Sequence, residues 1–371
     1  MSKSFYSLGL MSGTSMDGID GSIIQSDGEK KYKVILDQYF EYPKDIYKDL
    51  IKLRDKIKNS KDLKKFAKEI KSIEKVITLF HVKVVNKILK KSKAKVDFIG
   101  FHGQTIYHNA KEKISKQLGD GKLLSKLTKK TVVCNFREND LKNGGEGAPL
   151  TPIFHKLLVE QNKVNLPVII INLGGIANYT LIWKDKDLKK NYLKSKDTGP
   201  GNCLIDQWIR KNSTKLYDKD GKIALSGKIS QEIVDQALDV AFIKNSYDIK
   251  DFDLSFFKKL SLEDGTATLV EYTADTILSS INLFLEDVNW HKSIHILISG
   301  GGRKNNFLVN RIKKKTIRPV KLIDDLGING DFVESQAFAC LAIRSYLKLP
   351  ISFPETTGVK KPSTGGVLFK N

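Results

Sequence analysis

Within ten residues, Met11-Ser12-Gly13-Thr14-Ser15-Met16-Asp17-Gly18-Ile19-Asp20 brings together three hydroxyls, two glycines and two carboxylates. Gly13 and Gly18 are expected to take positive φ, so that successive backbone N–H groups converge on an anion. A carboxylate beside such a turn can hold a cation, and phosphate with Mg²⁺ calls for that combination. Gly13, Thr14, Ser15, Met16, Asp17, Gly18, Ile19 and Asp20 are therefore expected to contact a nucleotide. Asp17 and Asp20 are the expected Mg²⁺ ligands, reached through water.

A second constellation is Asp197-Thr198-Gly199-Pro200-Gly201-Asn202, ahead of CLIDQWIRK. Two glycines around a proline hold one turn shape, and the turn is expected to open a helix whose N-terminus favours anions. A fixed carboxylate beside a phosphate site suits a general base, so Asp197 is the catalytic candidate and also a substrate contact. The competing reading makes Asp197 an N-cap that closes a tight loop. Gly174-Gly175 and Gly300-Gly301-Gly302 each follow an apolar run; the first is expected to add N–H donors to phosphate, the second to admit a flat adenosine. His102, Gln104 and Thr105 in FHGQTIYH suit hydrogen bonds to a polar substrate. Arg137 with Asp140 can grip a carboxylate bidentately or pair with each other. The G-x-G-x-x-G spacing and the Walker lysine are missing, and six histidines without spaced partners argue against zinc.

These residues need elements to carry them. Phe5–Leu10 and Ile19–Ile24 are apolar runs on either side of the first turn, which reads as a hairpin. Lys33–Tyr42 is a third strand, and residues 45–91 carry apolar positions at helical spacing, broken near Asn59-Ser60. Strands are expected at Val96–Gly100 and Thr131–Asn135, followed by a helix through Leu157 and Leu158. The pattern then restarts: Pro167–Leu173, a glycine turn, then Tyr179–Trp183. Helices follow at roughly Ser230–Lys244 and Thr266–Val288, and then the strand Ile294–Ser299. A helix Asn306–Lys314, a strand near Val320–Ile323 and a helix Phe332–Leu347 complete the body. Alternating strands and helices indicate α/β, and the repeated strand–Gly turn–strand unit indicates duplication. The expected division is 1–150 and 151–371, with a ligand in the cleft between the halves, as in a kinase or ATPase.

Length and charge set bounds. A chain of 371 residues can build two cores. No apolar run is long enough to span a bilayer, and no signal-peptide run precedes the first strand. Three cysteines, Cys134, Cys203 and Cys340, fit a reducing compartment, so the expected location is the cytoplasm. Net charge is +21, but lysines are spread among acidic and apolar residues, which reads as a solvated surface rather than a nucleic-acid interface.

GLMSGTSMDGIDGSII, FHGQTIYH, NFRENDLKNGGEGAPLTP, INLGGIANYT, DTGPGNCLIDQW, SGGGRKNNFL and ESQAFACLA together resemble, in order and over nearly the whole chain, the anhydro-N-acetylmuramic acid kinase family. The resemblance implies a two-domain actin-like ATPase fold of the sugar kinase, Hsp70 and actin superfamily. It also implies ATP- and Mg²⁺-dependent opening of 1,6-anhydro-N-acetylmuramic acid with phosphorylation at O6, in cell-wall recycling. Glu146 stands where the family usually has glutamine, and residues 244–257 depart from its usual Lys-Ser-Thr-Gly-Arg-Glu stretch. The expected partners are the small-molecule anhydro amino sugar and a second copy in a homodimer, with no nucleic acid and no membrane. Two alternatives stand beside this reading: another small-molecule kinase on the same scaffold, and an actin-like nucleotide switch.

Overall fold

The computed structural model describes residues 3–184, 191–240, 246–287 and 294–370. The ends of two expected helices, 241–244 and Val288, lie outside these residues. The chain forms two compact units, one of residues up to Val164 together with Asp331 onward, the other Asn165–Gly330.

In the first unit β1 (Phe5–Ser12), β2 (Gly18–Ser26) and β3 (Tyr32–Glu41) form an antiparallel meander. Buried Leu8, Leu10, Ile19 and Ile23 give it its core face. β4 (Phe98–Asn109) lies parallel to β1, and β6 (Thr131–Cys134) parallel to β4. The sheet order is β12-β6-β4-β1-β2-β3, with β5 (Ile114–Leu118) paired to β4 and β12 (Val367–Phe369) at the edge. FHGQTIYH was expected at the end of a short strand. It lies instead within β4, which continues into a hairpin with β5.

The helix Val333–Tyr346 accounts for the return of the chain from Asp331 onward to the first unit, where the expected division kept it with the second. It lies directly on β1, β2 and β4 of the first unit. At Gly9 a Cβ would sit 1.9 Å from the Ser335 carbonyl oxygen, and at Gly100 one would sit 2.2 Å from that of Phe338. The bare backbones of two neighbouring strands therefore let the helix approach closely, and Ala339 and Ala342 add little bulk at the contact. Sequence position hides this docking, because the partners are more than 200 residues apart.

The second unit repeats the plan. β7 (Val168–Leu173), β8 (Ile176–Lys184) and β9 (Asn191–Pro200) form an antiparallel meander. β10 (His295–Ser299) and β11 (Val320–Leu322) extend it in parallel, giving the order β11-β10-β7-β8-β9. This matches β6-β4-β1-β2-β3 strand for strand. β7 is buried at every position, as a central strand with both faces covered must be. The helix Leu262–Asp287 supplies much of the cover, packing Leu269, Val270, Ile277 and Ile281 into the core. Its Glu271, only 1% exposed, takes hydrogen bonds from Arg311 and from Lys315, which ties this helix to Asn306–Lys315.

Candidate active site

The first turn is shaped differently from expectation. Neither Gly13 nor Gly18 has a positive φ; Met16 does, at 59°. Burial accounts for the Met16 strain, since its side chain enters the core and the Met16 N–H closes a turn onto the Gly13 carbonyl at 3.2 Å. Gly18 is needed for space: a Cβ there would meet the Phe40 carbonyl at 2.5 Å. Gly13 is the opposite case. A Cβ there would find only Ser15 Oγ, at 3.8 Å, so nothing in its own unit requires glycine at that point. Ile19 is fully buried, so Ile19 and Met16 can reach a ligand only through their backbones.

The polar side chains hold the turn open. Ser15 Oγ donates to Asp17 Oδ1 at 2.7 Å, and the Asp17 carbonyl accepts from Tyr42 N–H at 2.8 Å. Ser12 Oγ and Tyr42 Oη lie 3.0 Å apart in the interior. Asp17 is exposed, whereas Thr14 and Asp20 are half-buried. Gln104, read from sequence as a substrate contact, is fully buried and donates from Nε2 to the Gly13 carbonyl at 2.9 Å. The β1–β4 register pairs Ser12 with Gln104 and so brings its amide to the turn.

Next to it on β4, His102 is braced from both ends. Arg137 donates from Nη2 to His102 Nε2 at 3.0 Å, which leaves Nδ1–H to donate to the Gly103 carbonyl at 2.8 Å. Burial, aided by the Arg137 cation, pushes the His102 pKa down to about 3, so the ring stays neutral. The sequence offered His102 for hydrogen bonds to a polar substrate; within the chain both ring nitrogens are engaged, by Arg137 and by the Gly103 carbonyl, so the ring braces Arg137. Thr105 is half-buried and accepts from Gln117 Nε2 at 3.1 Å.

Asp140 holds the NGGEGAP loop. Its carboxylate accepts from Gly147 N–H at 2.6 Å and from Thr357 Oγ1 at 2.6 Å. At Gly145 a Cβ would fall 2.2 Å from Asp140 Oδ1. The Glu146 N–H donates to the Thr357 carbonyl at 2.7 Å, so the TTG tail and this loop form one structure. Desolvation, reinforced by Asp140, raises the Glu146 pKa.

In the second unit Asp197 is not an N-cap. It lies within β9, opposite Asn178 of β8, and the helix Cys203–Asn212 is capped at Asn202. The reading that made Asp197 a loop-closing cap is therefore corrected: β9 continues three residues beyond it. Asp197 is 6% exposed and accepts at Oδ2 from Tyr247 N–H at 3.0 Å. Directly opposed residues share a sheet face, so the Asn178 amide points the same way as Asp197. Its Oδ1 is buried and lacks a hydrogen-bond partner among the described residues. Sequence reasoning passed over Asn178. Its only signal was its place four residues past Gly174, and only the strand register converts that into proximity to Asp197.

The N–H groups of Gly201 and Asn202 donate to the carbonyls of Gly175 and Gly174 at 2.9 and 2.8 Å, and Cys203 N–H to Gly175 at 3.1 Å. The expected anion-binding helix start thus spends these donors on the Gly174-Gly175 turn, fixing the two segments together. Gly201 is obligatory there, since its Cβ would sit 2.2 Å from the Gly174 carbonyl. Gly300 has φ 82°, and Gly301 has open space around its Cβ position, as Gly13 does. Arg303, another residue not singled out from sequence, fixes this turn. It donates to both carboxylate oxygens of Asp324, at 2.6 and 2.9 Å, and to the Gly300 carbonyl at 3.1 Å. That bidentate contact also lowers the Asp324 pKa.

Among the described residues no cluster of three or more His, Cys, Asp or Glu could hold a metal, and no helix is long and apolar enough to cross a membrane. A five-strand core occurs twice, each copy opening on a strand–turn–strand unit, which defines a duplicated α/β fold. The chain belongs to the anhydro-N-acetylmuramic acid kinase family, whose model matches residues 5–371. It is 55% identical to the anhydro-N-acetylmuramic acid kinase of Pelagibacter ubique, over 100% of both chains. It is 39% identical to the enzyme of that name from Zymomonas mobilis, over 97% of this chain and 98% of the other. Among solved structures, an activator of 2-hydroxyisocaproyl-CoA dehydratase from Clostridium difficile aligns at TM-score 0.40 and 10% identity, covering 91% of this chain and 94% of that one.

Proposed function

We propose that this chain cleaves 1,6-anhydro-N-acetylmuramic acid with water and transfers the γ-phosphoryl group of ATP to O6, yielding N-acetylmuramic acid 6-phosphate for peptidoglycan recycling. The observation that carries the reading is the family match over residues 5–371, with 55% identity to a full-length relative of that name. A phosphotransferase of this family faces a definite chemical problem. The anhydro sugar has no free 6-hydroxyl, because O6 is bonded to C1.

The step balances as follows. Water oxygen bonds to C1, the C1–O6 bond breaks, O6 bonds to the γ-phosphorus, and the bond from that phosphorus to the β-bridging oxygen breaks to release ADP. One water proton must leave, and Asp197 accepts it as general base. The Gly13–Asp20 turn and the Gly174-Gly175 turn donate N–H groups to the phosphates, and the Gly300–Gly302 turn admits adenosine. Arg137, held rigid by His102, binds the acidic side of the sugar, with Thr105 as a neighbouring contact; Gln104 and Asp140 shape the turn and loop around them. Asp17 and Asp20 would hold Mg²⁺ through water. The fit is reasonable, because this ion uses one or two carboxylates and keeps several waters, and Asp17 is exposed beside the open side of Gly13. When bound, Mg²⁺ neutralises charge on the transferring phosphoryl group. A cytoplasmic homodimer completes the reading.

The test is ATP turnover with and without the anhydro sugar in ¹⁸O-labelled water. ADP release that requires the sugar, with early label on C1 and none in the phosphate ester, is expected. Sugar-independent turnover would instead favour an actin-like switch, and turnover with an ordinary hexose alone would favour another sugar kinase.

A further inference from the structure

We propose that the peptide N–H of Tyr247 is a positioning group for Asp197, holding the carboxylate in the one rotation from which it takes the water proton. The inference rests on the reading of Asp197 as the general base. Tyr247 N–H donates to Asp197 Oδ2 at 3.0 Å across a sequence separation of 50 residues. A carboxylate 6% exposed in a strand turns about its terminal torsion unless something fixes it, and that torsion is broad and roughly two-fold. The attacking water needs the same lone pair each time.

The donor itself is held in place. Immediately after Tyr247, Asp248 N–H donates to Asp251 Oδ2 at 2.9 Å and Lys250 N–H to Asp248 Oδ1 at 3.1 Å. Asp251 N–H returns to the Asp248 carbonyl at 2.9 Å, closing a single 3₁₀ turn at Ile249–Asp251. The rings of Tyr247 and Phe252 stack across that turn, with centroids 5.4 Å apart and planes 25° from parallel. Capping on one side and stacking on the other fix the orientation of the 246–247 peptide. The donor is a backbone group, so the contact does not depend on which side chains occupy the divergent stretch around it. A peptide N–H also favours the ionised over the protonated carboxyl, which a base requires.

Two variants test this. Tyr247→Pro removes the N–H, and Asp251→Ala unties the turn while keeping the N–H. If the proline variant fails to fold, an amide-to-ester replacement at the 246–247 linkage removes the same donor. Loss of the donor should lower kcat about 10- to 100-fold, the scale of one hydrogen bond to a charged group. KM for both substrates should stay within about twofold, and the acid limb of the kcat–pH profile should move to higher pH. Asp251→Ala should show the same change in smaller degree. In an Asp197→Asn background, Tyr247→Pro should cost almost nothing more, because two residues that act as a unit are not additive. An inactive Asp197→Asn alongside a Tyr247→Pro of normal kcat and unmoved acid limb overturns the positioning role alone. So does a loss that adds fully to that of Asp197→Asn. An active Asp197→Asn overturns the base assignment beneath it, which is a separate failure.

Discussion

Gln104 donates its side-chain amide to the Gly13 carbonyl at 2.9 Å, so a residue of β4 sets the conformation of the turn at the end of β1. The bond is part-buried, with Gln104 itself fully buried, and Gln104 Oε1 has no partner among the described residues. Gln104→Leu removes the donor and also an unsatisfied buried acceptor, two effects of opposite sign on stability. The melting temperature should therefore change little, while the loosened turn binds ATP about 5- to 10-fold more weakly, the scale of one neutral hydrogen bond. Titration calorimetry beside a thermal melt checks both. Unchanged ATP affinity would remove the turn from the nucleotide site.

Gly13 and Gly100 make a matched pair for substitution. A Cβ at Gly13 meets nothing closer than 3.8 Å, whereas one at Gly100 falls 2.2 Å from the Phe338 carbonyl. Gly13→Val should fold normally and lose ATP binding, because the branched side chain fills the side a phosphate would approach. Gly100→Ala should drive the Val333–Tyr346 helix off the sheet, costing several degrees of melting temperature or abolishing soluble expression. If Gly13→Val retains normal ATP affinity, the turn is structural. If Gly100→Ala melts like the parent, the close helix–sheet contact is not what holds the chain's end to the first unit.

How much of this was legible follows from what each element advertises. β1, β7 and β10 are apolar runs ended by glycine or hydroxyl residues, and their place as central strands could be read directly. The duplication was legible for the same reason. β9 was missed because Asn-Tyr-Leu-Lys-Ser-Lys-Asp-Thr is polar at most positions, as an edge strand can be, and its neighbouring glycines and proline advertise a turn instead. That omission turned Asp197 into a possible cap. Arg303 was overlooked because a buried arginine and a surface one look alike in sequence until Asp324 is seen beside it. Gln104 and His102 were read as hydrogen-bonding groups for a polar substrate at a strand end; their partners within the chain, Gly13 and Arg137, depend on strand register and a distant loop and could not be read.

Asp197→Asn now carries more weight than the sequence allowed. With capping excluded by the position of Asp197 in β9, asparagine has to preserve only the acceptor for Tyr247 N–H. Stability and substrate binding should persist, and kcat should fall ~10²- to 10⁴-fold, the usual contribution of a general base. Stopped ADP release in a variant that still binds the sugar is the expected result. Near-normal turnover would move the search to Asp17 or Asp20.

Three buried histidines give the fold a definite pH dependence. Burial pushes His81 and His155 down to about 4 from an ordinary 6.5, and burial with the Arg137 cation pushes His102 down to about 3. Below pH 6.5 the unfolded chain takes up protons on all three, while the folded chain holds them neutral. Stability is therefore full above the unfolded value and is lost as pH falls, with a slope of up to about 1.4 kcal/mol per pH unit for each histidine. Burial raises the Glu146 and Asp37 carboxyls, which favours proton uptake by the folded chain and opposes the histidine slope. The histidine contribution is therefore isolated by comparing a histidine variant with the parent in urea unfolding between about pH 6.5 and 5. His81 offers the control. It packs against Phe101 with ring centroids 4.7 Å apart, donates from Nδ1 to the Ile77 carbonyl at 2.9 Å, and leaves Nε2 buried without a partner among the described residues. His81→Phe keeps the ring contact and removes one of the three protons taken up on unfolding. The slope of unfolding free energy against pH should then fall by one histidine's share, up to about 1.4 kcal/mol per pH unit. A slope that does not change in His81→Phe would mean that His81 is already protonated in the folded chain, or that its ring is not buried as described.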